Sequence, residues 1–412
     1  MRILHTSDWH LGTTLCGRRR YDEAESFLDW LADCIRREGV QTLIVAGDVF
    51  DTTTPSNRAL EIYYRFLGRI SRSGCRHVVI TAGNHDSPSL LAAPRELLSA
   101  LDIHVVGGIT ENPAHEVFML RAESGEPELI LCAIPFLRDK DILCADAAET
   151  IDEKNVKLLQ GIRTHYQDVC TIAQERQNQH TGTGKIPIIA TGHLFAAGGT
   201  TREGDGVREL TIGSLVQVGA DTFPDCIDYL ALGHLHQPQL VSGSHTRRYC
   251  GSPLTMGFQE EKKEKQVLLV DITKDGHVQV EGRMVPATRR LMRVSGDAAT
   301  IGLHLAELKL SGGRIWVEVH IEDPRIIPGL REQLHKEVEE SNIEILRIKN
   351  TQAGPLALRG ANEEETLEDL NPIEVFTRCL DSGEEPPETR DDLMAAYKEI
   401  LAEVLMGDLN EE

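Results

Sequence analysis

LIVAGDVFD, residues 43–51, runs from an aliphatic strand straight into two carboxylates. Leu43, Ile44 and Val45 favour burial, so the strand carries Asp48 to the edge of an apolar core, with Asp51 three positions on. A carboxylate taken out of water is costly unless positive charge meets it. That charge has to be assembled with help from elsewhere in the chain, and the ends of the other aliphatic runs supply the means.

RILHTSDWH (2–10) delivers Asp8 and His10, VVITAGNHD (78–86) delivers Asn84, His85 and Asp86, IIATGH (188–193) delivers His193, and YLALGHLH (229–236) delivers His234 and His236. Five strands thus end in oxygen or imidazole donors, four of them after a glycine that permits close approach. Ligands of α/β sheets gather outside the carboxyl ends of strands, so tips distant in sequence can converge there. Asp8/His10 and His234/His236 are i, i+2 pairs, which share a face if strand geometry persists. A lone histidine after a strand is usually structural; this ordered series predicts a metal centre.

Carboxylate, amide oxygen and imidazole without thiolate favour Mn²⁺, Fe²⁺ or Zn²⁺, with Mg²⁺ disfavoured by the histidines. Seven donors exceed one ion but suit two with a bridging carboxylate, the clamp used in phosphoester cleavage. Asp8 and Asp48 bring two negative charges against four from two divalent ions, so the pocket attracts phosphate.

The whole-chain charge of −22 argues against nucleic acid only until it is located. Residues 361–412 carry −14 of it, leaving −8 for the other 360 residues. Nine cysteines without a CxxC pair, several (Cys34, Cys75, Cys132, Cys170) inside apolar stretches, read as reduced core thiols. The first residues lack a basic-then-apolar leader, and no run approaches the ~20 apolar residues of a membrane span, so a cytoplasmic protein is expected.

The alternation of strands and helical patterns predicts a layered α/β domain over 1–280, with strands at Arg2–His5, Thr42–Ala46, His77–Thr81, Leu129–Ala133, Ile186–Thr191 and Tyr229–Leu232. Helices are expected over 22–37 and 152–178. Three strand-like and two helical segments then predict a small α+β domain over 285–350. Residues 351–412 read as an acidic linker and two amphipathic helices that either pack on their own domain or dock on a partner. TGTGKIP (181–187) looks like a phosphate loop, but Gln179 and Ile186 stand where such a loop needs Gly and Ser or Thr.

MRILHTSDWHLG, VAGDVFDT, AGNHDS, IPFLRDKD, TGHL and ALGHLHQPQ with YCGSPL resemble the calcineurin-like metallophosphoesterases, and within them the double-strand-break nucleases. The resemblance implies Asp8, His10 and His236 on one metal, Asn84, His193 and His234 on the other, and Asp48 bridging. It places His85 as the catalytic histidine, acting on the charged phosphorane or the departing 3′ oxygen. Asp51, where relatives commonly carry histidine, and Asp86, a turn cap or imidazole-orienting group, become supporting residues. It further implies a manganese-dependent DNA exonuclease and endonuclease for repair, recombination and replication. The family works as a homodimer with two coiled-coil ATPase subunits bound by the terminal helices, while 285–350 cap the site and select DNA. The competing readings are a stand-alone phosphodiesterase or phosphatase, and a non-catalytic DNA-end scaffold.

Overall fold

The aliphatic runs build two stacked sheets. The computed structural model describes residues 1–142, 151–180, 184–196, 218–260, 264–323 and 329–350, with isolated positions beyond 375. Two compact units emerge, Met1–Leu291 and Met292–Glu412.

In the first unit the chain runs β1 (Arg2–Thr6), α1 (Tyr21–Glu38), β2 (Thr42–Ala46), α2 (Asn57–Ile70), β3 (His77–Thr81) and β4 (Ile103–Val106). It continues through β5 (Val117–Arg121), β6 (Pro127–Cys132), α3 (Ile151–Asn178), β7 (Ile188–His193) and β8 (Tyr229–Gly233). β9 (Gln239–Val241), β10 (Ser244–Tyr249), β11 (Gln266–Ile272) and β12 (Val278–Met284) complete it. The first sheet has the order β12-β11-β1-β2-β3-β4 and the second β9-β10-β8-β7-β6-β5. β1 to β4 are mutually parallel, as are β6, β7, β8 and β10; antiparallel β11 and β12 extend the first sheet from β1.

Alternation along the strands explains the layers. Ile3, Ile44 and Val79 of the first sheet meet Leu129, Leu131, Ile189 and Tyr229 of the second in one buried cluster. Leu4, Leu43, Val45 and Ile80 face the other way, onto Phe27 and Leu31 of α1 and Ile62 and Phe66 of α2. Ile130, Ile188, Leu230 and Leu232 likewise face Ile162, Tyr166 and Val169 of α3. The result is an α/β/β/α sandwich, in which buried strands read as continuous aliphatic runs because both faces are covered. α1 ends on Gly39, whose φ of 64° suits a left-handed cap. Cys34, Cys75, Cys132 and Cys170 are buried free thiols.

In the second unit β14 (Arg314–Ile321) lies between β15 (Ile343–Asn350) and β13 (Arg289–Gly296), whose first residues precede the unit boundary. α4 (Ala298–Leu310) and α5 (Leu330–Val338) bury Ile301, Leu305, Leu330 and Leu334 against Val317, Val319 and Ile345. The terminal helices expected over 351–412 lie outside the described residues, apart from isolated positions. Among the described residues no helix is long and apolar enough to cross a membrane.

Candidate metal centre

Both sheets contribute to one cluster at the carboxyl ends of β1, β2, β3, β7 and β8. The loops after β1 and β2 are zipped together: Asp8 N donates to Gly47 O at 3.0 Å, His10 N to Asp48 O at 3.1 Å and Leu11 N to Val49 O at 2.9 Å. Two glycines make room for the donors. A Cβ at Gly47 would stand 2.1 Å from His193 Nδ1, and one at Gly83 would stand 2.1 Å from Asp48 Oδ1.

The i, i+2 pairs do not converge by strand alternation, as the sequence suggested. Asp8, His10, Asp48 and His234 all have positive φ, at 53°, 45°, 49° and 99°. Each chain leaves its strand and turns through a left-handed conformation, so the members of the second pair face different neighbours. His236 Nε2 stands 3.1 Å from His10 Nε2, whereas His234 Nδ1 stands 3.1 Å from Asn84 Oδ1. Four non-glycine residues in this region mark a strained backbone that the surrounding structure must enforce.

Asp8, His10 and His236 form one set whose donor atoms lie within 4.8 Å of one another, and Asp8, Asp48 and His193 form a second. Asn84 Oδ1 is 3.0 Å from His193 Nε2. Asp48 Oδ2 lies between the sets, 3.6 Å from His10 Nε2 and 3.2 Å from His193 Nε2. His193 Nδ1 donates to Ala46 O at 2.9 Å, which leaves Nε2 as the atom facing the cluster.

Asp8, Asp48, His10, His193, His234 and His236 are all buried. Among the described residues the ion-pair partners of Asp8 and Asp48 are histidines alone. Burial pushes the Asp8 pKa up, Asp48 adds to the rise, and His193 and His10 oppose it. Burial also opposes ionisation of Asp48, yet His193 and His10 outweigh it and hold that carboxyl well below its usual range. For His193 burial pulls the pKa down, but Asp48 and Asp8 push it up to about 9. Burial and then neighbouring His193 drive His234 down to about 3. Two carboxylates and four imidazoles share one buried volume, and the Nε2 atoms of His10 and His236 face each other 3.1 Å apart, a spacing that two ligands of one cation can keep. His10 Nδ1 is buried without a hydrogen-bond partner, lying 3.3 Å from Asp51 Oδ1 without hydrogen-bond geometry. The donor set fits divalent cations that accept both nitrogen and oxygen.

His85 sits at the rim, half-buried, with its ring 4.8 Å from that of His10. Its backbone N donates to Asp48 Oδ1 at 2.9 Å and its Nδ1 donates to Asp51 O at 2.7 Å, so Nε2 is the edge able to act on a bound phosphate. Asp51 therefore touches both rings. Asp86 orients no imidazole; it accepts from Gly83 N, Val49 N and Phe50 N at 2.8, 3.1 and 2.9 Å, tying the Asp48 loop to the His85 loop.

Sequence reasoning did not assign three further supports. Ser7 donates to Asp8 Oδ2. Arg138, inside the quoted IPFLRDKD, donates to Asp86 O at 2.9 Å. Buried Lys265 donates to His236 O at 3.1 Å and pairs with buried Glu260 at 2.8 Å. Ser7 and Arg138 lay in stretches that carried a signal; Lys265 and Glu260 did not.

The family model of the calcineurin-like phosphoesterases matches residues 1–238. A second, described as the type 5 capsule protein repressor C-terminal domain, matches 287–384. Among curated relatives, the SbcD subunit of nuclease SbcCD from Escherichia coli K12 is 36% identical over 386 residues, covering 92% of each chain. The corresponding SbcD subunit from Bacillus subtilis 168 is 32% identical over 382 residues, 91% of this chain and 89% of the relative. With the phosphoesterase model spanning more than half its length and such relatives along nearly all of it, the chain belongs to the SbcD family of calcineurin-like metallophosphoesterases.

Proposed function

We propose that the chain is a metal-dependent phosphodiester hydrolase acting on DNA, an exonuclease on double strands and an endonuclease on single strands, working with an SbcC-type ATPase. The observation that carries this reading is the buried cluster in which His10 Nε2 and His236 Nε2 stand 3.1 Å apart while Asp48 Oδ2 lies within 3.6 Å of both donor sets. The naming of the relatives as one subunit of a nuclease, SbcCD, supports the substrate and the partner.

In this reading Asp8, His10 and His236 would hold one divalent cation, Asn84, His193 and His234 would hold the other, and Asp48 would serve both. When bound, the ions, Mn²⁺ in our assignment, would supply Lewis-acid charge and a more acidic water. The protein's part is to fix that geometry. Asp86 locks the two loops, Ala46 O sets the His193 tautomer, and Asp51 O anchors His85 so that Nε2 meets the departing 3′ oxygen. Residues 285–350 then select the DNA and the acidic tail binds the ATPase partner, charge that suits a basic helix better than phosphate. The working assembly is a dimer of this chain with two ATPase subunits, in the cytoplasm.

The test is cleavage by the purified chain with Mn²⁺, with and without chelator, on blunt duplex, hairpin duplex and bis-p-nitrophenyl phosphate, alongside Asp48→Asn. Chelator-sensitive DNA cleavage that Asp48→Asn loses together with bound metal is the expected result. Activity on the small ester alone would point to a stand-alone phosphodiesterase, and full DNA cleavage by metal-free Asp48→Asn would end the reading.

A further inference from the structure

His77, Asp102 and His104 bring two imidazole nitrogens and a carboxylate oxygen within 4.8 Å of one another, away from the candidate centre. His77 opens β3, whose other end leads to Asn84 and His85 after roughly 13 Å of strand, so the two clusters share no donor. His104 lies on β4 in register with Val79. Residues two apart on a strand share a face, as do directly paired residues, so His77, Val79 and His104 project to the same side. That side packs against the second sheet, where Val79 is buried. Asp102 stands in the turn before β4 with φ 55°, and its Oδ1 lies 3.8 Å from His77 Nδ1 and 3.9 Å from His104 Nε2.

The atom that asks for a ligand is His77 Nδ1. His77 is 8% exposed. Its Nε2 is 2.9 Å from Arg121 O, a carbonyl that can only accept, so Nε2 carries a hydrogen and, in the neutral ring, Nδ1 presents a lone pair. Nδ1 is buried and has no hydrogen-bond partner. An imidazole anchored by one N–H to a backbone carbonyl, with its other nitrogen bare beside a second imidazole and a carboxylate, is the arrangement that metal-ligating histidines adopt.

We propose that His77 Nδ1, His104 Nε2 and Asp102 Oδ1 form a binding site for a divalent transition cation, with Zn²⁺ the best match. Two nitrogens and one carboxylate oxygen without thiolate suit zinc, water completing a tetrahedron. Bonds of roughly 2.0–2.1 Å place tetrahedral ligand atoms about 3.3 Å apart, so each imidazole nitrogen closes on Asp102 Oδ1 by about half an ångström. Asp102, largely exposed, and His104, partly exposed, have that freedom. Because His77 is bonded to β5 of the second sheet and the His104 ring lies 4.6 Å from that of Phe118 on β5, the cation clips the margins of the two sheets together.

The test uses the full chain stripped of metal and titrated with Zn²⁺ against a chromophoric chelator, comparing wild type with Asp102→Asn and His104→Gln. Asn tolerates the left-handed backbone and keeps the shape of Asp, so this variant serves if His104→Gln folds poorly. Each variant is expected to bind one zinc fewer at low micromolar metal and to lose part of the zinc-induced rise in Tm, with unchanged Mn²⁺-dependent cleavage. The difference between chains is the readout, so the result does not depend on what the candidate centre itself holds. Equal zinc stoichiometry and equal Tm shifts in all three chains, or a difference seen only at millimolar zinc, overturns the proposal.

Discussion

Asp86→Ala removes a fully buried carboxylate that serves three backbone donors at once. Its Oδ2 accepts from Gly83 N at 2.8 Å and Val49 N at 3.1 Å, and its Oδ1 from Phe50 N at 2.9 Å. Alanine leaves all three N–H groups buried and unpaired, at about 2 kcal/mol each, or roughly 6 kcal/mol together. Against this, burial and the nearby Asp48 push the Asp86 pKa up to about 6, so losing the ionised carboxyl offsets about 3 kcal/mol at neutral pH. The net loss is about 3 kcal/mol, which for a unit the size of Met1–Leu291 lowers Tm by about 5 °C. The same carboxylate positions Asp48 and His85, and a misplacement of about 1 Å there costs ~100-fold in rate. Calorimetry of the full chain, with Mn²⁺-dependent DNA cleavage on the same preparation, checks both figures. A variant within about 1 kcal/mol of wild type would show that the turn does not depend on this carboxylate. Asp86→Asn, which keeps one acceptor oxygen, is expected to fall between the two.

Three further outcomes follow from the same geometry. His85→Ala should keep its bound metal and its Tm yet lose ~10²–10⁴-fold in DNA cleavage, read by metal content beside single-turnover rates. Gly83→Ala should fail to load metal by titration calorimetry, because the new Cβ would meet Asp48 N at 2.4 Å as well as Asp48 Oδ1. Glu318, buried on β14, touches Arg293, His320 and Lys349 at 3.0, 3.0 and 3.3 Å. Burial opposes its ionisation, but Arg293 and Lys349 outweigh that and depress its pKa. Its contribution is therefore fully present above the unfolded carboxyl pKa of about 4.5 and is lost as pH falls through the lower folded value. Glu318→Gln should destabilise the second unit at neutral pH and flatten the acid limb of its Tm profile.

Most core strands with both faces buried were legible. TLIVA, HVVIT and YLALG needed no alternation to be read, and the structure puts them at Thr42–Ala46, His77–Thr81 and Tyr229–Gly233. Gln266–Ile272, which pairs with β1, escaped the sequence reading although VLLV is as aliphatic, because no donor follows it and it abuts the change of character near residue 280. Half-exposed strands such as SHTRRY (244–249) and VQVEGRM (278–284) carry polar side chains along their length and gave no clear period. At the site, residue type and position after a strand exposed the donors, but not how they meet. The left-handed turns at Asp8, His10, Asp48 and His234 are imposed by long-range packing that no local pattern encodes. The same is true of Lys265, whose partners Glu260, Ser252 and His236 become neighbours only in the folded unit.

The division of donors between the sheets makes the cluster a test of completed folding. Asp8, Asp48 and Asn84 follow strands of one sheet, while His193, His234 and His236 follow strands of the other. A chain whose halves have formed but not docked holds two partial sets, neither of which completes either proposed metal seat. Hydrolytic power thus arrives only with the final closure of the sandwich.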